Sequence, residues 1–253
     1  MRQFTLSQVQ RFTELAGLPS FQEYVLELEQ DTQLVRDVEA MVADVDHFRT
    51  KHWDSVHELG LYRIFLYCLT RSRRPGLFVE TGVLHGLTSL FILEALERNG
   101  QGRLVSIDAP SYFETGPANL DGVDDRLPPR KEPGWVIGPH RRQRFDLRIG
   151  LSSEHLEPAL CEGPPAEIFL HDSDHTPQNM KFELETALRF LAPGGIIVCD
   201  NCINNTAFFD FCSAFQLPMF VFPAGGPGGT AKRERERNLV RFGVTWKPVG
   251  GEF

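Results

Sequence analysis

Ile168-Phe169-Leu170-His171-Asp172-Ser173-Asp174-His175 and Ile196-Ile197-Val198-Cys199-Asp200-Asn201 decide how this chain folds. Each begins as a short apolar run and then turns acidic. Such a run reads as a strand buried on both faces of a sheet. Its acidic carboxyl end opens onto a polar site, and in open α/β sheets ligands bind at that edge. Two such ends, carrying carboxylates, an amide and an imidazole, predict a hard-cation site with a base beside it.

Working outward, the same alternation extends in both directions. Strands are expected at Leu77-Phe78-Val79, Leu104-Val105-Ser106-Ile107, 145–149 and 167–170, with a helix from Thr88 to Arg98. Thr176-Pro177 reads as an N-cap followed by proline at the first helical position, opening a helix that runs to about Leu191. Pro193-Gly194-Gly195 then turns the chain into the strand 196–199. This β-α-β order predicts a parallel sheet with helices on both faces. Residues 1–70 read as helices, with the strongest apolar stripe at Leu59, Leu61, Ile64, Phe65 and Cys68, and Ser72-Arg73-Arg74-Pro75-Gly76 ends them. Met219-Phe220-Val221-Phe222 and residues 240–246 predict a closing antiparallel hairpin. Its loop holds the glycines of 225–229 and the alternating charges of 232–237, read as a solvated stretch, with an active-site flap as the sharper alternative. The proline-rich segment 109–144, with Gly134-Trp135, is long enough to be a functional lid.

Composition bounds the rest. The 253 residues are 42% hydrophobic, enough for one large α/β domain with an extension. A net charge of −8 argues against a nucleic-acid partner. No apolar run approaches the ~20 residues that span a bilayer, and Met1-Arg2-Gln3-Phe4-Thr5 lacks a signal-peptide core. A cytoplasmic protein without membrane contact and with reduced thiols is expected. Cys199 and Cys202 form a C-x-x-C without the second Cys/His pair that zinc needs.

The turn after the first strand reads Glu80-Thr81-Gly82-Val83-Leu84-His85-Gly86-Leu87-Thr88-Ser89. Its glycines allow a sharp turn and close approach of a ligand, but the spacing is not the dinucleotide fingerprint. Asp108 ends the second strand, where an acid can accept both hydrogen bonds of a ribose diol. His85 reads as a packing residue, and strand alternation turns His171 away from Asp172.

An acid followed by G-x-x-x-G resembles the class I S-adenosylmethionine-dependent methyltransferases. The resemblance implies a Rossmann-like α/β fold: a seven-stranded, mostly parallel sheet with helices on both faces and an antiparallel C-terminal hairpin. The helical extension or lid would be 1–74 and the methyltransferase domain 75–253. It also implies that Glu80, Gly82, Leu84, Gly86, Thr88 and Ser89 wrap the methionine end of S-adenosylmethionine, with Asp108 at the ribose. Ser152 and Ser153 would lie along the adenine, and Asp172 joins the cofactor contacts. The block from Phe169 to Asn201 resembles, more narrowly, the divalent-metal-dependent O-methyltransferases of the catechol and macrolide-sugar groups. Residues 204–211 are similar to the broad "methyltransferase 24" family. On that resemblance Asp172, Asp200 and Asn201 hold Mg²⁺ and His175 is the base. The acceptor would be a hydroxyl of a small molecule, a sugar or glycosylated natural product.

Asp174 stays open as a ligand in place of, or beside, Asp172. Asp172 and Asp200 as helix caps, with Asn201 as a turn residue, are the plain alternative. So do a metal-free N- or O-methyltransferase and a non-catalytic S-adenosylmethionine-binding protein remain open. The apolar N-terminal helices suit a lid, a homo-oligomer surface or both.

Overall fold

The computed structural model describes residues 3–42, 60–110, 127, 130–224 and 241–250. Residues 111–126 and 128–129 of the expected 109–144 lid, the 225–229 glycines, the 232–237 charge run and Leu59 of the apolar stripe lie outside the described residues.

Five strands run parallel: β1 (Leu77–Thr81), β2 (Arg103–Asp108), β3 (Phe145–Ile149), β4 (Ile168–His171) and β5 (Ile196–Cys199). β6 (Phe220–Pro223) and β7 (Arg241–Trp246) pair antiparallel, and β7 also lies antiparallel to β5. The seven strands stand in the order β3-β2-β1-β4-β5-β7-β6, so the expected hairpin closes the sheet with its second strand innermost.

Alternation along the strands builds two cores. Phe78, Leu104, Leu170 and Val198 face one side. There they meet α4 (Leu61–Arg73) and α5 (Leu87–Asn99). Leu77, Val79, Val105, Phe169 and Ile197 face the other, against α6 (Ser152–Cys161), α7 (Pro177–Phe190) and α8 (Ala207–Ala214). α7 starts as its sequence dictates: Thr176 Oγ1 accepts the Asn179 N–H, and Pro177 fills the first turn.

The N-terminal helices α1 (Gln3–Leu15), α2 (Gln22–Glu29) and α3 (Thr32–Val42) share the first core. Phe12 packs on Phe65, Phe222 and Trp246, and Leu28, Leu34 and Val38 are buried with it. α2 is also pinned by charge. Glu27 takes Arg71 at 2.9 Å and Arg98 at 3.1 Å as well as the Tyr67 hydroxyl. Burial alone would raise the Glu27 carboxyl, but these donors pull it down to about 2. The sequence boundary at residue 74 therefore separates α4 from the sheet it covers. No described helix is long and apolar enough to cross a membrane.

The first strand runs two residues further than its apolar run suggests. Glu80 and Thr81 belong to it, on opposite faces. Beyond Thr81 the ladder continues into the loops: Gly82 N–H donates to Ile107 O, Asp172 N–H to Thr81 O and Asp200 N–H to His171 O, each at 2.9 Å. The register then sets Asp108, Gly82, Asp172 and Asp200 in one row across four strand ends. Gly82 has φ +83°, and a Cβ there would collide with the Asp172 carbonyl. We expect Gly82→Ala to lose about 2–4 kcal/mol of stability, from overpacking plus left-handed strain. Urea denaturation checks this, and a loss under about 0.5 kcal/mol would contradict the close approach.

Candidate active site

The row Asp108–Gly82–Asp172–Asp200 forms the floor of the site, on the face covered by α4 and α5. One residue back, on the opposite face, Thr81, His171 and Cys199 form a second row. The expectation that His171 turns away from Asp172 follows from this parity.

Asp172, His175 and Asp200 meet at the carboxyl ends of β4 and β5. One ligand atom from each lies within 4.8 Å of the others. His175 Nε2 stands 3.9 Å from Asp200 Oδ2. Asn201, held at φ +50°, donates its amide to Asp200 Oδ2 at 2.9 Å and reaches His175 Nε2 at 3.5 Å. Burial pushes the Asp172 carboxyl up, and the Asp200 charge pushes it further. Burial raises Asp200 too, against the His175 imidazole beside it. The two carboxylates fit a divalent cation, and His175 Nε2 stands beside them where a base is needed. Asp174 is not turned toward them. Its carboxylate accepts the Thr176 N–H at 3.2 Å and the Thr176 hydroxyl at 3.1 Å, which holds the N-cap residue of α7 in place.

The cofactor residues expected from sequence gather at the neighbouring strand ends. Asp108 Oδ2 accepts the N–H groups of Val83 and Leu84 at 2.7 and 2.8 Å, so one carboxylate oxygen already shapes the glycine loop. Burial raises its carboxyl, and those two amides lower it. Leu84 (φ +48°) and Gly86 (φ +86°) both take left-handed backbone. The glycines do allow the turn, but the close approach at each is protein: Asp172 at Gly82 and Gly134 at Gly86. Thr88 is half-buried in the first turn of α5. Ser89 is buried, its hydroxyl donated to Glu80 Oε1 at 2.5 Å, which makes it a support for Glu80. Ser152 Oγ donates to Asn179 Oδ1 at 3.3 Å, while Ser153 is exposed.

Glu80 is fully buried. Oε1 takes the hydroxyls of Ser89 and Ser106, and Oε2 has no partner among the described residues. An orphaned carboxylate oxygen beside the glycine loop fits a cationic group such as the ammonium of an amino-acid ligand. Burial pushes the Glu80 carboxyl up to about 7, against its two hydroxyl donors.

Three further residues belong to the site. From the first turn of α4, Tyr62 donates to Asp172 Oδ2 at 3.4 Å and packs on Phe242 at 5.2 Å. Burial raises its phenol, with the Asp172 charge adding to this. Arg63 is close enough that burial, which lowers its guanidinium, is opposed by Asp172 and Asp200. Behind β4, the buried Glu183 of α7 accepts from Thr81 Oγ1 (2.5 Å), Ser173 Oγ (2.8 Å) and Asn179 Nδ2 (3.1 Å), and meets His171 Nδ1 at 2.6 Å. Burial would raise Glu183, but His171 and the hydroxyls of Ser152 and Thr81 hold it low. Glu183 was findable: it is a lone acid on the buried Met180–Leu184–Ala187 stripe of α7. Tyr62 and Arg63 carry no such contrast with their helix.

Cys199 and Cys202 are buried free thiols, and burial pushes Cys202 up to about 12. The acidic pair with His175 is the one metal-capable group of three or more His, Cys, Asp or Glu among the described residues.

Residues 79–202 match a family model described as a methyltransferase domain. No curated protein matches the chain. Among solved structures, a putative O-methyltransferase from Klebsiella pneumoniae aligns with a TM-score of 0.52 at 15% identity, covering 98% of this chain and 99% of that one. An O-methyltransferase from Bacillus cereus in complex with SAH aligns at 0.53 and 16%, covering 98% and 100%. The O-methyltransferase TomG from Streptomyces achromogenes, involved in tomaymycin synthesis and in complex with SAM, aligns at 0.53 and 14%, covering 98% and 99%. At these identities the likeness is one of fold.

Glu80 yields a pH test. Its unfolded carboxyl loses its proton near 4.5, whereas the folded one keeps it to about 7. Between those values the native state binds the extra proton, so the group lowers stability as pH rises through that window. Glu80→Gln should remove this decline in the ligand-free protein, and its melting temperature should gain on wild type from pH 5 to 7 and then hold level. A pH-independent difference would contradict the assignment.

Proposed function

We propose that this chain, a class I S-adenosylmethionine-dependent methyltransferase in fold and in the domain model its central residues match, methylates a hydroxyl oxygen of a small molecule with a divalent cation at Asp172 and Asp200. The observation that carries the reading is the convergence of Asp172, His175 and Asp200 within 4.8 Å, one strand away from the glycine loop.

Bound S-adenosylmethionine would supply an electrophilic methyl group, and Mg²⁺ would supply a Lewis acid that lowers the acceptor's pKa. The chain does the rest. Glu80 Oε2 and Asp108 offer carboxylate oxygens to the cofactor's amino and ribose groups. Gly82, Leu84, Gly86 and Thr88 line its methionine end, and Ser152 and Ser153 its adenine end. Asp172 and Asp200 would hold the cation; Asn201 braces Asp200 through its amide nitrogen, and with the amide turned over its oxygen would complete the ligand set. His175 Nε2, 3.9 Å from Asp200 Oδ2, receives the acceptor's proton as the acceptor displaces the Asn201 amide from it. Tyr62 and Arg63 cover the pair from α4. Holding acceptor and methyl in line can supply about 7–11 kcal/mol, whereas one base contributes about 10²–10⁴-fold. Sugars and glycosylated natural products are acceptors with hydroxyls of the required kind, and TomG's part in tomaymycin synthesis is in keeping with small-molecule acceptors.

A metal-free reading has one observation in its favour: Arg63 already places a cation by the acidic pair. Transfer of labelled methyl from S-adenosylmethionine to a panel of hydroxylated acceptors tests both. We expect transfer that EDTA abolishes and Mg²⁺ restores. Transfer indifferent to EDTA would replace the cation by Arg63. His175→Ala should keep SAH affinity within about threefold and lose about 10²–10⁴ in turnover, and unchanged turnover would remove His175 from the mechanism.

A further inference from the structure

The glycine loop is held in a conformation it would not keep alone. Leu84 sits at φ +48°, a region that side chains other than glycine disfavour. From inside, Asp108 grips the Val83 and Leu84 amides, and Gly86 N–H closes on Val83 O at 2.7 Å. From outside, residues 132–137 lie directly against it. Gly134 N–H donates to Leu84 O at 2.8 Å and Val136 N–H to His85 O at 3.2 Å. Between them Trp135 Nε1 donates to His85 Nδ1 at 2.9 Å, the rings perpendicular with centroids 5.8 Å apart. An indole N–H only donates, so His85 accepts at Nδ1 and carries its proton on Nε2. A Cβ on Gly86 would fall 2.6 Å from the Gly134 Cα, so this contact is glycine on glycine.

The outer segment is itself anchored. Arg142 donates to the carbonyls of Ile137 and Gly134 at 3.1 and 3.0 Å. Arg141 is paired with Glu94 of α5 at 2.6 Å, and Lys131 stands 4.5 Å over the Trp135 ring. The loop is thus clamped between a carboxylate on the sheet side and a braced strap on the other.

We propose that residues 132–137 are a strap that preorganises the cofactor loop, with Trp135 and His85 as positioning residues for S-adenosylmethionine. The proposal rests on reading 82–89 as the cofactor loop. Trp135 acts through His85 and the loop backbone. Without its N–H the loop relaxes from the left-handed conformers, and the cofactor must reorder it on binding.

The experiment is calorimetric titration of SAH into wild type, Trp135→Phe, His85→Leu, the double variant and His85→Gln, with melting curves to establish that each is folded. Trp135→Phe keeps the ring and loses only the donor, and His85→Gln keeps an acceptor for it. We expect each of the first two variants to weaken SAH about fivefold to tenfold, the size of one lost neutral hydrogen bond. The double variant should be no weaker than the worse single one, and His85→Gln should return to within about twofold of wild type. Unchanged affinity in Trp135→Phe would overturn the proposal, as would additive losses that His85→Gln does not repair, since those mean general loosening. Absence of SAH binding by the wild type would overturn the cofactor reading itself, and the strap's role with it.

Discussion

Two carboxylates brought side by side in a poorly hydrated corner need a counter-charge, and much of this structure's local chemistry follows from that. Asp172 and Asp200 are adjacent because β4 and β5 are parallel, pair His171 with Cys199 and continue their ladder one residue further. Burial and mutual repulsion make their joint ionisation costly. Around them the chain sets His175, the Asn201 amide, the Tyr62 hydroxyl and Arg63. A divalent cation would satisfy the same need, and the site is built where one can reach both acids.

The two faces of the sheet divide the work. On the α4 and α5 face, Glu80, Asp108 and the acidic pair line the candidate site. On the α7 face, Glu183 ties Thr81, His171 and Ser173 together and so fixes the backbone from which Asp172 and His175 project. Asp174 holds Thr176, the N-cap of the helix that delivers Glu183. The placement of the candidate site residues thus depends on a buried polar network behind the strands as well as on the strand ends themselves.

Much of the fold was legible because both-face burial leaves an unmistakable mark: Ile196-Ile197-Val198-Cys199 and its fellows are apolar throughout, with caps and glycines between them. Glu80 and Thr81 escaped the expected first strand because polar side chains break the apolar run, though the ladder continues through them. The gathering of Asp172, His175 and Asp200 was readable from strand ends and spacing, but Asp174 could be sorted from Asp172 only by its bonds to Thr176. Tyr62 and Arg63 were out of reach, and Gly134-Trp135 stood out only as part of a long candidate lid, without its contact to His85. Their importance comes from contacts more than forty residues away in the chain, which no local pattern encodes. The helical extension was expected as a separate unit, since its periodicity does not reveal that Phe12 and Leu28 enter the sheet's own core.

The most direct test is binding of Mn²⁺, followed by electron paramagnetic resonance, to the SAH-loaded protein and to its Asp200→Ala variant. The acidic-pair site predicts one bound Mn²⁺ per chain, displaced by Mg²⁺ and lost in Asp200→Ala while SAH affinity is kept. No bound Mn²⁺ in the wild type, with or without a hydroxylated acceptor present, would contradict a cation at Asp172 and Asp200 and leave Arg63 as the counter-charge of the site.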